Sequence, residues 1–134
     1  HAFSNNFDQE INLLKQKIAA GASYAVTQMF FDNSKYFAFV DRCRKENITI
    51  PIIPGIKILD KPRQIDILPK MFKTEFPKEL YNEASENIKH IEEIGTRWAI
   101  KQSEELINAG VPIIHYYLMN DTSCMLKILN HLHK

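Results

Sequence analysis

Three continuous apolar segments constrain this chain more than anything else: "YAVTQMFFDN" (24–33), "ITIPIIPG" (48–55) and "VPIIHYYLMN" (111–120). They do not alternate apolar and polar residues as a half-exposed strand does. They are rich in β-branched and aromatic types, which predicts strands covered on both faces, over 23–31, 48–55 and 111–120. Pro51 and Pro54 bracket the second, and Pro54-Gly55 is expected to end it in a turn. Helical patterns separate the strands, so the order helix–strand–helix–strand–helices–strand–helix reads as parallel βαβ units.

The helices follow from apolar spacing and stop signals. Ile11, Leu14 and Ile18 recur on one face of a helix over 8–20, with Leu13 widening the stripe, Asp8 placed to cap its start and Gly21 to end it. Ser34 is expected to cap a helix over 35–46 that buries Tyr36, Phe39, Val40 and Cys43. A third helix over 61–72 starts at Lys61-Pro62 and carries Ile65, Leu68 and Phe72. Pro77 opens a short helix to about residue 82. Residues 84–109 form one or two further helices stopped by Gly110, and "TSCMLKILNHL" forms the last.

A sheet enclosed by helices is either doubly wound or a (β/α)8 barrel. Three strands cannot close a barrel, which takes about 250 residues against the 134 present. Alone they would also leave two unpaired edges. With His1, not a methionine, in first place, the chain is expected to be a single partial domain, the C-terminal part of a (β/α)8 TIM barrel whose N-terminal strands are missing. Formal net charge is +1 with acidic and basic residues interspersed, which argues against nucleic-acid binding. No apolar run approaches the ~18 residues of a membrane span. Cys43 and Cys124 are far apart in no metal-like spacing, as in a cytoplasmic protein with reduced thiols. His131 and His133 lack further ligands, so no metal site is expected.

In parallel α/β folds ligands sit at the carboxyl ends of strands. Polar residues gather there in three groups: Thr27, Gln28 and Asp32; Gly55, Lys57, Arg63 and Gln64; His115, Tyr116, Tyr117 and Asn120. Some of these have plain structural roles open to them. Asp32 can cap a turn, Tyr116 and Tyr117 point to opposite sides, and His115 suits a satisfied core histidine. Gln28 is the residue that asks most, because a buried amide without partners costs roughly 2–7 kcal/mol. No nucleophile elbow, Walker loop, dinucleotide GxGxxG or HExxH is present.

The segment "LKQKIAAGASYAVTQMFFDNSKYFAFVDRC" resembles the region around the sixth strand of methylenetetrahydrofolate reductases, whose pattern is close to L-K-x-K-V-x-A-G-A-x-x-x-I-T-Q-x-F-F-[DE]. "IPIIPGI" resembles the family's seventh strand and "INAGVPIIHYYLMN" its eighth, so strands six to eight are represented. The resemblance implies an oxidoreductase, a flavoprotein of one-carbon metabolism and methionine biosynthesis. It would reduce 5,10-methylenetetrahydrofolate to 5-methyltetrahydrofolate with FAD as cofactor and NAD(P)H as electron donor, as a homo-oligomer in the cytoplasm. The protein's part would be orientation and electrostatics around the flavin.

Matched position by position, the resemblance makes His1, Glu10 and Lys17 cofactor-binding, at the flavin, its adenosine ribose and its phosphates. It makes Gln28, Gln64 and Tyr117 substrate-binding, with Gln28 meeting both pterin and nicotinamide. Leu13 stands where some relatives have a polar FAD contact, and Leu68 where some have a phenylalanine stacked on the folate. Asp121 stands where an arginine often meets the folate tail. No catalytic residue falls in the chain. The general acid is expected upstream, so these residues alone should be inactive, as part of the short bacterial form without a regulatory domain. Two other readings compete: a non-catalytic remnant or folate-binding module of the same fold, and a barrel enzyme of another flavin or pterin chemistry.

Overall fold

The computed structural model describes residues 7–72, 74–117 and 123–132. Helix α1 (Asp8–Ala19) leads to strand β1 (Ala25–Val26), α2 (Asn33–Lys45), β2 (Ile52–Ile53) and β3 (Gly55–Lys57). Then come α3 (Gln64–Phe72), α4 (Lys78–Glu86), a 3-10 turn (Ile88–His90), α5 (Ile91–Asn108), β4 (His115–Tyr117) and α6 (Ser123–Leu132). The predicted alternation is present and every strand pairing is parallel. Ala25 and Val26 face Ile52 and Ile53, Gly55–Lys57 faces His115–Tyr117, and Phe30 bridges to Ile56.

The middle segment is one strand carrying two ladders. Pro54 has no N–H to give, so the ladder to β1 stops at Ile53 and the one to β4 starts at Gly55. The expected turn at Pro54-Gly55 is therefore absent. The Pro54 carbonyl is still used, accepting from the His115 N–H at 2.9 Å.

Two apolar layers flank the strands. Phe30, Ile52, Ile56 and Ile58 pack with Ile11, Leu14, Tyr36, Phe39, Cys43, Ala99 and Leu106 from α1, α2 and α5. Met29, Phe31 and Leu59 pack with Ile65, Leu68, Leu80, Ala84, Ile91 and Ile94 from α3, α4 and α5. Directional bonds fix the layers in register. The Tyr36 hydroxyl donates to the Ile52 carbonyl at 2.6 Å and the Trp98 indole to the Phe31 carbonyl at 2.9 Å. The buried Gln102 amide donates to Asn33 Oδ1, whose own amide donates back to the Gln102 carbonyl.

Several local expectations change. Asp32, not Ser34, caps α2: its Oδ1 accepts from the Ser34 N–H at 3.0 Å and from the Ser34 hydroxyl at 2.7 Å. Asp8 is not a cap but the first residue of α1, paired instead with Arg42 of α2 at 2.6 Å. Gly21 and Gly110 end their helices at positive φ, as expected. Coverage on both faces does not hold throughout. Tyr24 is 59% exposed, Val26 40% and Ile113 56%, because among the described residues nothing packs over the outer flank of β1 or the start of the last strand segment.

The closest packing involves a glycine that periodicity does not flag. A Cβ at Gly95 in α5 would fall on the Leu59 carbonyl group, backbone that cannot give way. Gly95→Ala is expected to destabilise the protein by about 1–3 kcal/mol or more, the usual cost of overpacking. Urea unfolding reads this directly, and a variant as stable as the parent would show that α5 does not rest on the strand as described.

Candidate functional site

The strands meet at one level through side chains as well as ladders. The Thr27 hydroxyl accepts from the Gly55 N–H at 2.9 Å, and the Tyr117 hydroxyl donates to the Thr27 carbonyl at 2.7 Å. The Tyr117 ring lies over Gly55, where a Cβ would come within 2.5 Å of its Cε2. Gly55 is the residue type this contact requires. Tyr116 points the other way and its hydroxyl meets Ser103 of α5 at 2.7 Å, so the two tyrosines divide as their alternation predicts. Burial raises both phenols above their ordinary range.

Beside this level, α1 and β1 enclose a cleft of about 100 Å3. Glu10, Leu13, Leu14 and Lys17 line it from the helix, Ala25–Gln28 from the strand, with Phe39 and Ile52 at the base. Glu10, Lys17 and Gln28 thus share one cleft, which their separation in sequence does not require. Lys17 is exposed and Gln28 half-buried. The Gln28 Oε1 accepts from the neighbouring Met29 N–H at a long 3.3 Å. Among the described residues nothing accepts from its Nε2, which leaves both amide hydrogens for a ligand. Leu13 puts an apolar, partly exposed side chain on the rim.

The other mouth residues sit around β3. Lys57 is only 4% exposed, and its ammonium donates to the Ile58 carbonyl at 3.0 Å and lies 3.9 Å from Asp60 Oδ1. A buried ammonium needs such partners. Gln64 is held on both sides: its Oε1 accepts from the Asp60 and Lys61 N–H groups at 2.8 and 3.0 Å, and its Nε2 donates to Asp60 Oδ1 at 2.9 Å. Lys57 belongs to the polar group expected at the end of this strand, whereas its partner Asp60 does not stand out in the sequence. The only signal is a charge inside the apolar run "IPIIPGIKILD", followed three residues later by an acid. Leu68 is buried in the second apolar layer and not in the cleft. His115 is exposed, edge-on to Tyr117 at 4.6 Å, and is not a core histidine. His1, Asn120 and Asp121 lie outside the described residues.

This arrangement offers a carboxylate, an ammonium and an amide in one shallow cleft beside a tyrosine-covered strand junction. The cleft is smaller than a complete small-molecule pocket, which holds about 300–1,000 Å3. A family model described as methylenetetrahydrofolate reductase matches residues 1–133. Among curated proteins, a 5,10-methylenetetrahydrofolate reductase of Buchnera aphidicola is 34% identical over 96% of this chain and 45% of its own length. A probable NADPH-linked enzyme of that name in Caenorhabditis elegans is 33% identical over 98% of this chain and 20% of its own. A probable NADH-linked one in Oryza sativa is 32% identical over 94% and 22%. The chain thus spans less than half the length of these relatives. A solved Clostridium thermocellum protein, described as binding two copies of 5-methyl-5,6,7,8-tetrahydrofolic acid, superposes with a TM-score of 0.59 over 92% of this chain and 48% of its own. At 14% identity that likeness speaks to the fold alone.

Tyr117→Phe removes the bond to the Thr27 carbonyl and is expected to cost about 1–2 kcal/mol at neutral pH. Burial raises the Tyr117 phenol above its ordinary 10.0, so the unfolded chain loses its proton first and folded stability falls as pH rises beyond that value. The deficit of Tyr117→Phe should therefore shrink in alkaline solution. Denaturant unfolding across about pH 8 to 11 checks this; a deficit constant over that range would contradict it.

Proposed function

The chain belongs to the methylenetetrahydrofolate reductase family, and from that membership we propose that it is the C-terminal part, strands six to eight, of a (β/α)8 barrel that reduces 5,10-methylenetetrahydrofolate to 5-methyltetrahydrofolate with FAD and NAD(P)H. The observation that carries the reading is the shared cleft of Glu10, Lys17 and Gln28, the residues which the family resemblance assigns to cofactor and substrate.

The donor set suits part of an FAD. Lys17 offers an exposed ammonium for phosphate oxygens, acting as a point charge. Glu10 offers a carboxylate that accepts from ribose hydroxyls, and Leu13 with Val26 offers apolar cover. When bound, FAD would supply the hydride chemistry between nicotinamide and folate. This chain's own residues hold and orient. Gln28 presents an amide able to donate and accept at once, which suits the pterin edge and then the nicotinamide carboxamide. Tyr117 covers the junction beside it and excludes water from that side.

The full-length protein should purify yellow and bind FAD, read from its visible spectrum. A colourless protein that takes up no FAD would sink the proposal. Within it, Gln28→Ala should slow the folate half-reaction by about tenfold or more, the worth of one or two lost hydrogen bonds, while FAD affinity stays near the parent's. Equal loss of flavin binding and folate turnover would make Gln28 a structural residue.

A further inference from the structure

We propose that Lys57 and Asp60 are positioning residues that turn Gln64 into a one-way hydrogen-bond donor, so that the ligand atom it meets is an acceptor, a carbonyl oxygen or an unprotonated ring nitrogen. The inference rests on the reading of Gln64 as a ligand contact.

An amide carries two acceptor lone pairs and two donor hydrogens. In Gln64 both lone pairs are taken by the Asp60 and Lys61 N–H groups, at 2.8 and 3.0 Å. One hydrogen is taken by Asp60 Oδ1 at 2.9 Å. The remaining hydrogen on Nε2 is what the half-buried side chain can offer a ligand, and it is a donor. The same Asp60 Oδ1 lies 3.9 Å from the Lys57 ammonium, which also donates to the Ile58 carbonyl at 3.0 Å, and both side chains are nearly closed to solvent, 10% and 4% exposed. The buried cation lies beside the Asp60 carboxylate, and that carboxylate keeps the Gln64 nitrogen turned toward it. The order Lys57, Asp60, Gln64 thus runs from the last residue of β3 through the turn to the first residue of α3. Gln28, with both amide hydrogens unclaimed among the described residues, can adapt to its ligand; Gln64 cannot.

The test uses the full-length flavin-loaded enzyme and follows the KM for 5,10-methylenetetrahydrofolate alongside flavin reduction by the nicotinamide. Changing Asp60 alone would strand a buried cation, so the variants compared are the charge-balanced Lys57→Met/Asp60→Ala and Lys57→Met/Asp60→Asn. They differ only in whether an acceptor remains for Gln64. The alanine pair should raise KM about tenfold, one hydrogen bond's worth, and the asparagine pair should recover most of it, with flavin reduction at the parent's rate in both. Equal KM values for the two pairs would overturn the positioning role. Gln64→Glu, which replaces the donor with an acceptor, should raise KM at least as much as Gln64→Ala; a smaller rise would overturn the one-way donor. Gln64→Ala with the parent's KM would remove the underlying reading of Gln64 as a ligand contact. Raised KM in Gln64→Ala with equal KM in the two pairs would remove only the inference drawn from Lys57 and Asp60.

Discussion

The fold hangs on the junction of Thr27, Gly55 and Tyr117. Backbone ladders join the strands two or three residues at a time, which is little for a parallel sheet. At Pro54 the middle strand cannot donate at all, and there the side chains take over. The Thr27 hydroxyl receives the Gly55 N–H, and the Tyr117 hydroxyl reaches across Gly55 to the Thr27 carbonyl. One residue from each strand is thereby tied at one height. Gln28 follows Thr27 and Lys57 stands two residues past Gly55, so the positions of the polar mouth residues are consequences of this tie. A larger residue at 55 would push the Tyr117 ring away and open it.

Much of the architecture is legible in sequence because it is local. The strand runs, the spacing of Ile11, Leu14 and Ile18, and the glycines at 21 and 110 each specify their element without help from elsewhere. Differences fall where a competing partner decides. Asp8 has capping chemistry, but Arg42 on the next helix engages it. Ser34 has it too, but Asp32 is two residues earlier and its carboxylate takes both Ser34 donors. Pro54-Gly55 has the signature of a turn, yet β4 supplies a ladder that carries the strand through to Lys57. Gly95 carries no signal, since only the approach of Leu59 makes its missing Cβ matter.

The candidate site divides in the same way. Only the family resemblance groups Glu10, Lys17 and Gln28, as periodicity gives no reason for a carboxylate and an ammonium on α1 and an amide just past β1 to share a cleft. The resemblance also points to Gln64, but its three local hydrogen bonds carry no sequence signal, because they depend on how the chain turns between Leu59 and α3. Lys57 shows the converse. A lysine in an apolar run looks like a strand end reaching solvent, and it is instead among the more deeply buried polar residues. The neighbouring Asp60 makes that burial tolerable.

The exposed flank of the sheet and the shallowness of the cleft are one physical fact. Apolar side chains such as Tyr24, Val26 and Leu13 stand in solvent around β1, and Val26 and Leu13 also line the cleft. An outer parallel strand with unclaimed backbone groups and an apolar surface invites pairing. Under the barrel reading, a further strand laid along β1 would cover Val26, complete the ladder and raise the second side of the cleft in one step. The amide of Gln28 would then pass from a solvated rim into an enclosed mouth. There a hydrogen bond left unmade costs far more than it does in water, and an amide with unclaimed hydrogens becomes a demand for a matching ligand.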